Sequence, residues 1–179
     1  MIRRQIDSPY LKALEKRVLT AEQLHAMLLR WIERYPIVSI EDPFAEHDVE
    51  AMRAFTKAAG DRIQVVGDDL FVTHAEKLDP GLANTVLLKP DQVGTVSETL
   101  ACWKAAQEKG MRAIVSARSG ETEDVAIVHL AVGWGVSQLK VGSFSRSERM
   151  AKWNEALRIE EALGAKALPF PARKLFKRQ

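Results

Sequence analysis

The sequence predicts an α/β protein built as part of a TIM-type (β/α) barrel, with about five parallel strands. Five short apolar runs are separated by segments with helical spacing. The runs are continuous rather than alternating, as is typical of parallel strands buried on both faces. Each run also ends in a polar or charged cluster, and (β/α) barrels build their active sites at the carboxyl ends of their strands. The predicted strands cover residues 38–40, 64–66, 85–88, 113–115 and 138–139.

The first two helices are predicted from the residues at their ends. Thr20 and Gln23 have the spacing of a capping box at a helix start, and Pro36 ends that helix before the first strand. Asp48 has the short acceptor side chain of an N-cap residue, and Gly60 is suited to end the helix that follows it.

The later helices are predicted in the same way. Thr95 and Glu98 form a second capping box, and Gly110 ends that helix. Further helical segments are predicted at residues 74–78 (a short turn), at 122–134, and from a cap formed by Ser145 and Glu148 to Leu163.

The length of the chain indicates one domain and an incomplete barrel. A closed barrel typically needs eight strands and about 250 residues, whereas this chain of 179 residues offers five strands. It is therefore expected to be part of a longer barrel, or to pair its open edges with another copy as a homo-oligomer. Residues 20–165 are assigned to the barrel segment, 1–19 to an N-terminal extension without a clear element, and 166–179 to a basic tail.

Composition argues against several function classes. The net charge of +2 is too small to indicate a specific nucleic-acid partner, and the basic tail is expected to be a solvated C-terminus. No apolar run approaches the roughly 20 residues of a membrane span, and no apolar signal segment follows the N-terminus. The single cysteine, Cys102, is expected to be a small core residue. We therefore expect a cytoplasmic protein with no membrane partner.

Two acidic residues follow successive predicted strands. Glu41 and Asp68 would converge at the barrel mouth, where two carboxylates suit a hard cation such as Mg²⁺. The same placement is consistent with ordinary strand-end acids or helix N-caps. Asp42 and Asp69, the second acid of each pair, would orient these ligands or serve only as turn residues.

Basic residues occupy the ends of the other three strands. Lys89 follows a very apolar run, so burial would make it a general base, unless its side chain extends to water. Arg118 and Ser119 precede a glycine and together suit a phosphate or a carboxylate, although the arginine would also pair with a neighbouring glutamate. Lys140 would anchor an anionic group.

These motifs together resemble the enolase family (phosphopyruvate hydratase). The resemblance covers roughly residues 20–165 and corresponds to the C-terminal part of the enolase barrel only. The motifs that carry it are residues 39–44, 67–70, 88–90, 118–124, Lys140, and the stretches 146–149 and 157–161.

The resemblance implies a function and a role for each site residue. Enolases dehydrate 2-phosphoglycerate to phosphoenolpyruvate with magnesium, and their superfamily uses a lysine or histidine base. Glu41 and Asp68 would then be metal ligands, and Lys89 the base that removes the α-proton. Arg118 and Ser119 would contact the phosphate. Finally, Lys140 would face the substrate carboxylate, and Arg158 would pair across the dimer interface of the family.

Two residues depart from the family pattern. Family members usually have a histidine where this chain has Ala117, so an imidazole is missing from the predicted pocket. They usually have asparagine where this chain has Asp91, whose charge would favour the protonated form of Lys89 if the two were close.

The resemblance also implies parts that this sequence does not match. These parts are the capping domain, the first strands, the third metal ligand and the glutamates that would protonate the departing hydroxide. We therefore expect weak magnesium binding and little activity from this chain alone. Two other hypotheses are a non-catalytic module that binds a phosphometabolite or assists assembly, and an enolase paralogue with an altered substrate.

Overall fold

Strands and helices alternate along the chain in the computed structural model, which describes residues 10–12 and 17–166. The strands are β1 (Tyr10–Lys12), β2 (Arg17–Leu19), β3 (Ser39–Glu41), β4 (Gln64–Gly67), β5 (Thr85–Leu88), β6 (Arg112–Ser116) and β7 (Leu139–Lys140). The helices are α1 (Ala21–Arg34), α2 (Val49–Ala59), α3 (Pro90–Val93), α4 (Val96–Glu108), α5 (Ala126–Gly133) and α6 (Ser147–Leu163). Short 3₁₀ turns lie at Ala75–Lys77 and Gly164–Lys166. Within the described ranges, no helix is both long and apolar enough to cross a bilayer.

Five parallel strands form the central sheet. Its spatial order, β3-β4-β5-β6-β7, is the order of the chain, and the sheet curls into a half-barrel with helices between the strands. The register sets Glu41 beside Val66 and Ser116 beside Lys140. The carboxyl ends of the strands therefore lie along one edge. The predicted fold class, with its five parallel strands, is confirmed.

The hydrophobic core lies between this sheet and its helices. β4 and β5 are buried along their whole length, which explains why the corresponding sequence runs are continuously apolar. The core side chains with the least exposure include Met52, Phe55, Val65, Phe71, Val86, Leu88, Cys102, Ala106 and Val115. Burial of a large apolar side chain contributes about 1.5–3 kcal/mol relative to exposure. The expectation that Cys102 is a core residue is confirmed.

The predicted helix caps at Thr20, Asp48 and Thr95 are confirmed. The Thr20 hydroxyl accepts from the Gln23 amide (3.3 Å), and the Gln23 side chain accepts from the Thr20 amide (3.1 Å). Asp48 accepts from the Ala51 amide at 3.3 Å. Thr95 accepts from the amide of the residue three positions on, at 3.1 Å. These side chains satisfy N–H groups that would otherwise lack partners in the first turn.

The prediction that no element precedes Thr20 was wrong. β1 and β2 form a two-stranded antiparallel ladder that sets Tyr10 opposite Leu19. Leu19 is buried, and it anchors β2 beside α1. Each strand has only three residues, too few to show a sequence period. The predictions for residues 1–9, 13–16 and the tail at 167–179 lie outside the described residues.

Two predicted helix starts were also wrong. The helix predicted at 122–134 begins only at Ala126, because Asp124 accepts from the Ala126 amide (2.8 Å) and its own amide donates to the Thr122 hydroxyl (3.2 Å). The last helix begins at Ser147 rather than after a Ser145 cap, since the Ser145 hydroxyl bonds to Ser143 at 2.9 Å. In both places, short polar side chains satisfy the backbone or one another locally and delay the helix.

Candidate active site

All six predicted site residues line one cavity at the carboxyl edge of the sheet. Its volume is about 550 Å³. The residues come from the ends of four strands and from the loop after β6: Glu41, Asp68, Lys89, Arg118, Ser119 and Lys140. The six residues therefore contribute two carboxylates and three cationic side chains to one cavity. Their functional roles stay predictions.

Asp68 and Lys89 form a buried ion pair in this cavity. The Lys89 ammonium donates to both carboxylate oxygens of Asp68, at 2.6 and 2.7 Å. The two side chains are only 12% and 9% exposed. The Lys89 backbone amide donates to the buried hydroxyl of Thr73 at 3.1 Å, which fixes the lysine at the end of β5. The alternative that this side chain extends to water is therefore wrong.

Glu41 and Lys140 form a second ion pair across the mouth of the half-barrel. The Lys140 ammonium donates to both oxygens of Glu41, at 2.6 and 2.7 Å. Glu41 ends β3 and Lys140 ends β7, the two outermost strands of the sheet. The curl of the sheet thus brings together residues 99 positions apart in sequence. Both side chains are over one-third exposed, so the pair contributes little to stability.

Asp42 positions the strand end that carries Asp68. Its two carboxylate oxygens accept from the backbone amides of Asp68 and Asp69, each at 2.9 Å. Asp42 itself has φ of 39°, in the left-handed region that aspartate tolerates better than most residues. Of the two interpretations of Asp42, the structure supports the one in which it orients a neighbouring carboxylate. It does so through the backbone.

The loop after β6 presents Arg118 and Ser119 to the cavity. The Arg118 guanidinium lies 3.5 Å from the carboxylate of Asp91, while its backbone amide donates to Glu121 at 2.8 Å. The guanidinium therefore pairs with an aspartate rather than with a neighbouring glutamate, which was the alternative to an anion-binding role. The effect of Asp91 on Lys89, expected only if the two were close, stays a prediction, and the ion pair observed for Asp91 is with Arg118.

Two buried cations on α6 hold this loop, and the sequence analysis missed their role. Arg149 donates to the carbonyl oxygens of Val141 and Ser119, each at 2.9 Å. Lys152, which is fully buried, donates to the Thr122 carbonyl and pairs with Glu121, each at 2.7 Å.

A buried cation persists only when partners compensate for its lost hydration. Arg149 and Lys152 therefore tie the backbone of the loop after β6 to α6. The signal in the sequence was a helix with almost no apolar stripe, because such a helix must be stabilised by polar contacts. One turn of helix separates the two residues, so they share a face.

Ala117 and Arg158 have clear positions. Ala117 lines the cavity and is buried, so it presents only a methyl group beside Arg118. Arg158 lies on the exposed surface of α6 and pairs with Glu155 at 2.8 Å. Its implied contact across a dimer interface stays a prediction.

The donor set partly fits the expected magnesium ion. Glu41 and Asp68 offer hard oxygen ligands, and magnesium is commonly held by one or two carboxylates together with water and substrate. Each carboxylate already binds a lysine ammonium. Across residues 10–12 and 17–166, no group of three or more His, Cys, Asp or Glu side chains is arranged to hold a metal. The residues therefore fit a hydrated ion that competes with two lysines.

Buried Cys102 lies away from the cavity, on α4. Burial raises the pKa of its thiol to about 12, and the negative charge of Glu76 adds to this effect. The thiol is therefore protonated at neutral pH and is not a nucleophile.

A curled parallel sheet with charged side chains converging at its carboxyl edge defines the class: part of a (β/α)-barrel enzyme. A family model described as the enolase C-terminal TIM barrel domain matches residues 5–178. The chain belongs to the enolase family.

Two relatives show the extent of this similarity. The chain is 49% identical over 171 residues to "Enolase 1" of Desulfitobacterium hafniense (strain Y51), covering 93% of this chain and 39% of that protein. It is 53% identical over 156 residues to "Enolase" of Anaplasma marginale (strain St. Maries), covering 85% of this chain and 36% of that protein. The chain thus spans less than two-fifths of the length of either relative.

Proposed function

We propose that this chain provides the barrel side of a magnesium-dependent phosphopyruvate hydratase site, which converts 2-phosphoglycerate to phosphoenolpyruvate. The observation that carries the proposal is the convergence of the six predicted residues on one cavity. The names of the two relatives agree with this class of lyase. The reaction removes a proton from carbon 2 of the substrate and hydroxide from carbon 3.

Lys89 is proposed as the base that takes the carbon-2 proton. Its ammonium must first give up a proton and move away from Asp68, which holds it at 2.6 Å. A neutral amine at the end of β5, surrounded by buried side chains, can then accept the substrate proton. Lys89 therefore acts as a base only when Asp68 has another positively charged partner.

The remaining cations are proposed to orient the substrate. Arg118 and Ser119 offer a guanidinium and a hydroxyl for the phosphate group. Lys140 faces the cavity from β7 and is suited to the substrate carboxylate. The carbon-2 proton would then be directed towards Lys89.

Glu41 and Asp68 are proposed to hold magnesium, which when bound would supply positive charge that stabilises negative charge developing on the substrate carboxylate. The proposal gives none of the six residues the role of protonating the departing hydroxide. That acid is proposed to come from a part of the family protein that this chain does not match.

The test is magnesium-dependent exchange of the carbon-2 proton of 2-phosphoglycerate by the purified chain, because this step does not need an acid for the departing hydroxide. Lys89→Ala removes the proposed base, and Lys57→Ala, an exposed lysine on α2, is the matched control. The proposal predicts magnesium-dependent exchange that Lys89→Ala abolishes and Lys57→Ala leaves unchanged. Exchange that survives in Lys89→Ala would contradict it.

A second candidate is a non-catalytic module that binds a phosphorylated acid. It is favoured by the ion pairs that already occupy Lys89 and Lys140. This candidate predicts no carbon-2 exchange but measurable binding of phosphoenolpyruvate that Arg118→Met abolishes. Absence of both exchange and binding would exclude the two candidates together.

A further inference from the structure

We propose that Asp91 is a specificity-determining residue, whose carboxylate acts as an internal counter-anion for Arg118 and weakens the binding of phosphate groups. This inference rests on the proposed function, because it assumes that Arg118 contacts the phosphate. The observation behind it is the ion pair between the Asp91 carboxylate and the Arg118 guanidinium at 3.5 Å.

Hydrogen bonds hold the backbone near both partners in place. Asp91 lies on α3, which begins with Pro90 and ends at Val93, before Gly94. The next residue, Gln92, accepts from the Thr73 hydroxyl at 2.9 Å, and this contact ties α3 to the end of β5. The Arg118 backbone is held by Glu121. These contacts place the two backbones so that the Asp91 carboxylate lies within reach of the guanidinium.

The Asp91–Arg118 pair differs from the other two ion pairs of the cavity in what happens when a ligand binds. Each of the three cations proposed to act on the substrate has a carboxylate partner within the chain: Asp68, Glu41 and Asp91. Asp68 and Glu41 are proposed metal ligands, so a bound cation would release their lysines. Asp91 has no such role, and its negative charge stays beside Arg118 when a phosphate enters.

Asp91 therefore disfavours the phosphate dianion more than any less charged group. A ligand that places a hydroxyl or a singly charged group at Arg118 is repelled less. Ala117 beside it offers only a methyl group and no compensating charge. Because the pair is partly exposed, we expect a moderate effect of roughly three- to tenfold in affinity at low salt.

The experiment measures binding of inorganic phosphate to the whole chain by calorimetry. Four proteins are compared: wild type, Asp91→Asn, Arg118→Met and the double variant. Glu123→Gln is the matched control, since it removes one exposed negative charge from the loop that carries Arg118. We expect Asp91→Asn to bind phosphate roughly three- to tenfold more tightly than wild type at low salt, with a smaller gain at high salt. The gain should vanish in the double variant, and Glu123→Gln should show little of it.

The outcomes separate this inference from the proposed function. Equal affinity in wild type and Asp91→Asn, with weaker binding in Arg118→Met, would overturn the inference and leave the phosphate site intact. An equal gain in Glu123→Gln would also overturn it, since the effect would then be one of general charge. No phosphate binding by either wild type or Asp91→Asn would overturn both.

Discussion

At the scale of single residues, the Asp68–Lys89 pair is the most consequential contact of the site. Both charges lie in a largely water-excluded position, so each depends on the other for compensation. The same contact joins a proposed metal ligand to the proposed base. Loss of this contact should therefore lower the free energy of unfolding and also impair the proton removal proposed for Lys89.

Removing one member of this pair should destabilise the fold. Asp68→Ala leaves the Lys89 ammonium buried without its counter-charge, so we expect a loss of about 3 kcal/mol in the free energy of unfolding. Urea denaturation measures it. Arg53→Met is the control, because the Arg53–Asp79 pair is over 40% exposed on both sides and should cost at most about 1 kcal/mol. Equal losses in the two variants would contradict the argument.

Cys102 offers a test of core burial. Because burial raises the pKa of its thiol to about 12, the folded chain should not react with a thiol reagent at neutral pH. The reaction should become complete once denaturant exposes α4. Rapid labelling of the native chain would show that Cys102 is accessible and that its surroundings are not closely packed.

At the scale of elements, α6 supports the loop after β6, which carries Arg118 and Ser119. Its two buried cations reach carbonyl oxygens on both sides of the cavity mouth, at Val141, Ser119 and Thr122. Helix formation by itself does not require buried cations at these two positions. We therefore attribute the loop's shape to α6 as much as to the loop's own sequence.

Replacing Lys152 should affect both stability and ligand binding. Lys152→Met leaves Glu121 without its counter-charge and frees the Thr122 carbonyl, so we expect a loss of about 3 kcal/mol in the free energy of unfolding. Affinity for inorganic phosphate should fall as the loop loosens. Arg158→Met, on the exposed side of the same helix, should change neither appreciably. If Lys152→Met matched Arg158→Met in both stability and phosphate affinity, Lys152 would not support the loop.

The elements also show how far the sequence could predict the structure. The ends of the strands could be predicted, because a charged residue that directly follows a buried apolar run in a parallel sheet lies at the carboxyl edge of that sheet. The start of α6 was not, because Ser145 is bonded to Ser143 rather than to the helix. The pairing of Glu41 with Lys140 was also out of reach, since it depends on the curl of the whole sheet. The sequence singled out Asp91 as unusual, but its ion pair with Arg118 could not be predicted because it depends on how α3 packs.

At the scale of the whole molecule, the half-barrel presents an outer strand without a described neighbour on one side. β3 is the first strand of the five-stranded sheet, and Ser39 and Glu41 in it are exposed. Unpaired strand edges carry free hydrogen-bonding groups that recruit other strands. The match to less than two-fifths of its relatives agrees with a sheet that extends further in the family protein.

This edge predicts self-association of the chain studied alone. We expect light scattering at micromolar concentration to report dimers or larger species. Val38 and Asp42 bond to β4, so the N–H of the alternate residue Ser39 faces the open side of β3. Ser39→Pro removes that N–H and should reduce association if this edge mediates it. Val132→Ser, which replaces an exposed residue on α5 away from this edge, is the control and should leave association unchanged. A clean monomer in wild type would contradict the prediction.

The account depends most on Lys89 acting as a base in this cavity. Proton exchange at carbon 2 of 2-phosphoglycerate in deuterated water tests this step directly, because it does not require hydroxide to leave. We predict magnesium-dependent deuterium incorporation, detected by NMR, in wild type and Lys57→Ala and its loss in Lys89→Ala. A chelator should also abolish it. Exchange that continues undiminished in Lys89→Ala, or that is absent from wild type with magnesium, would contradict the account.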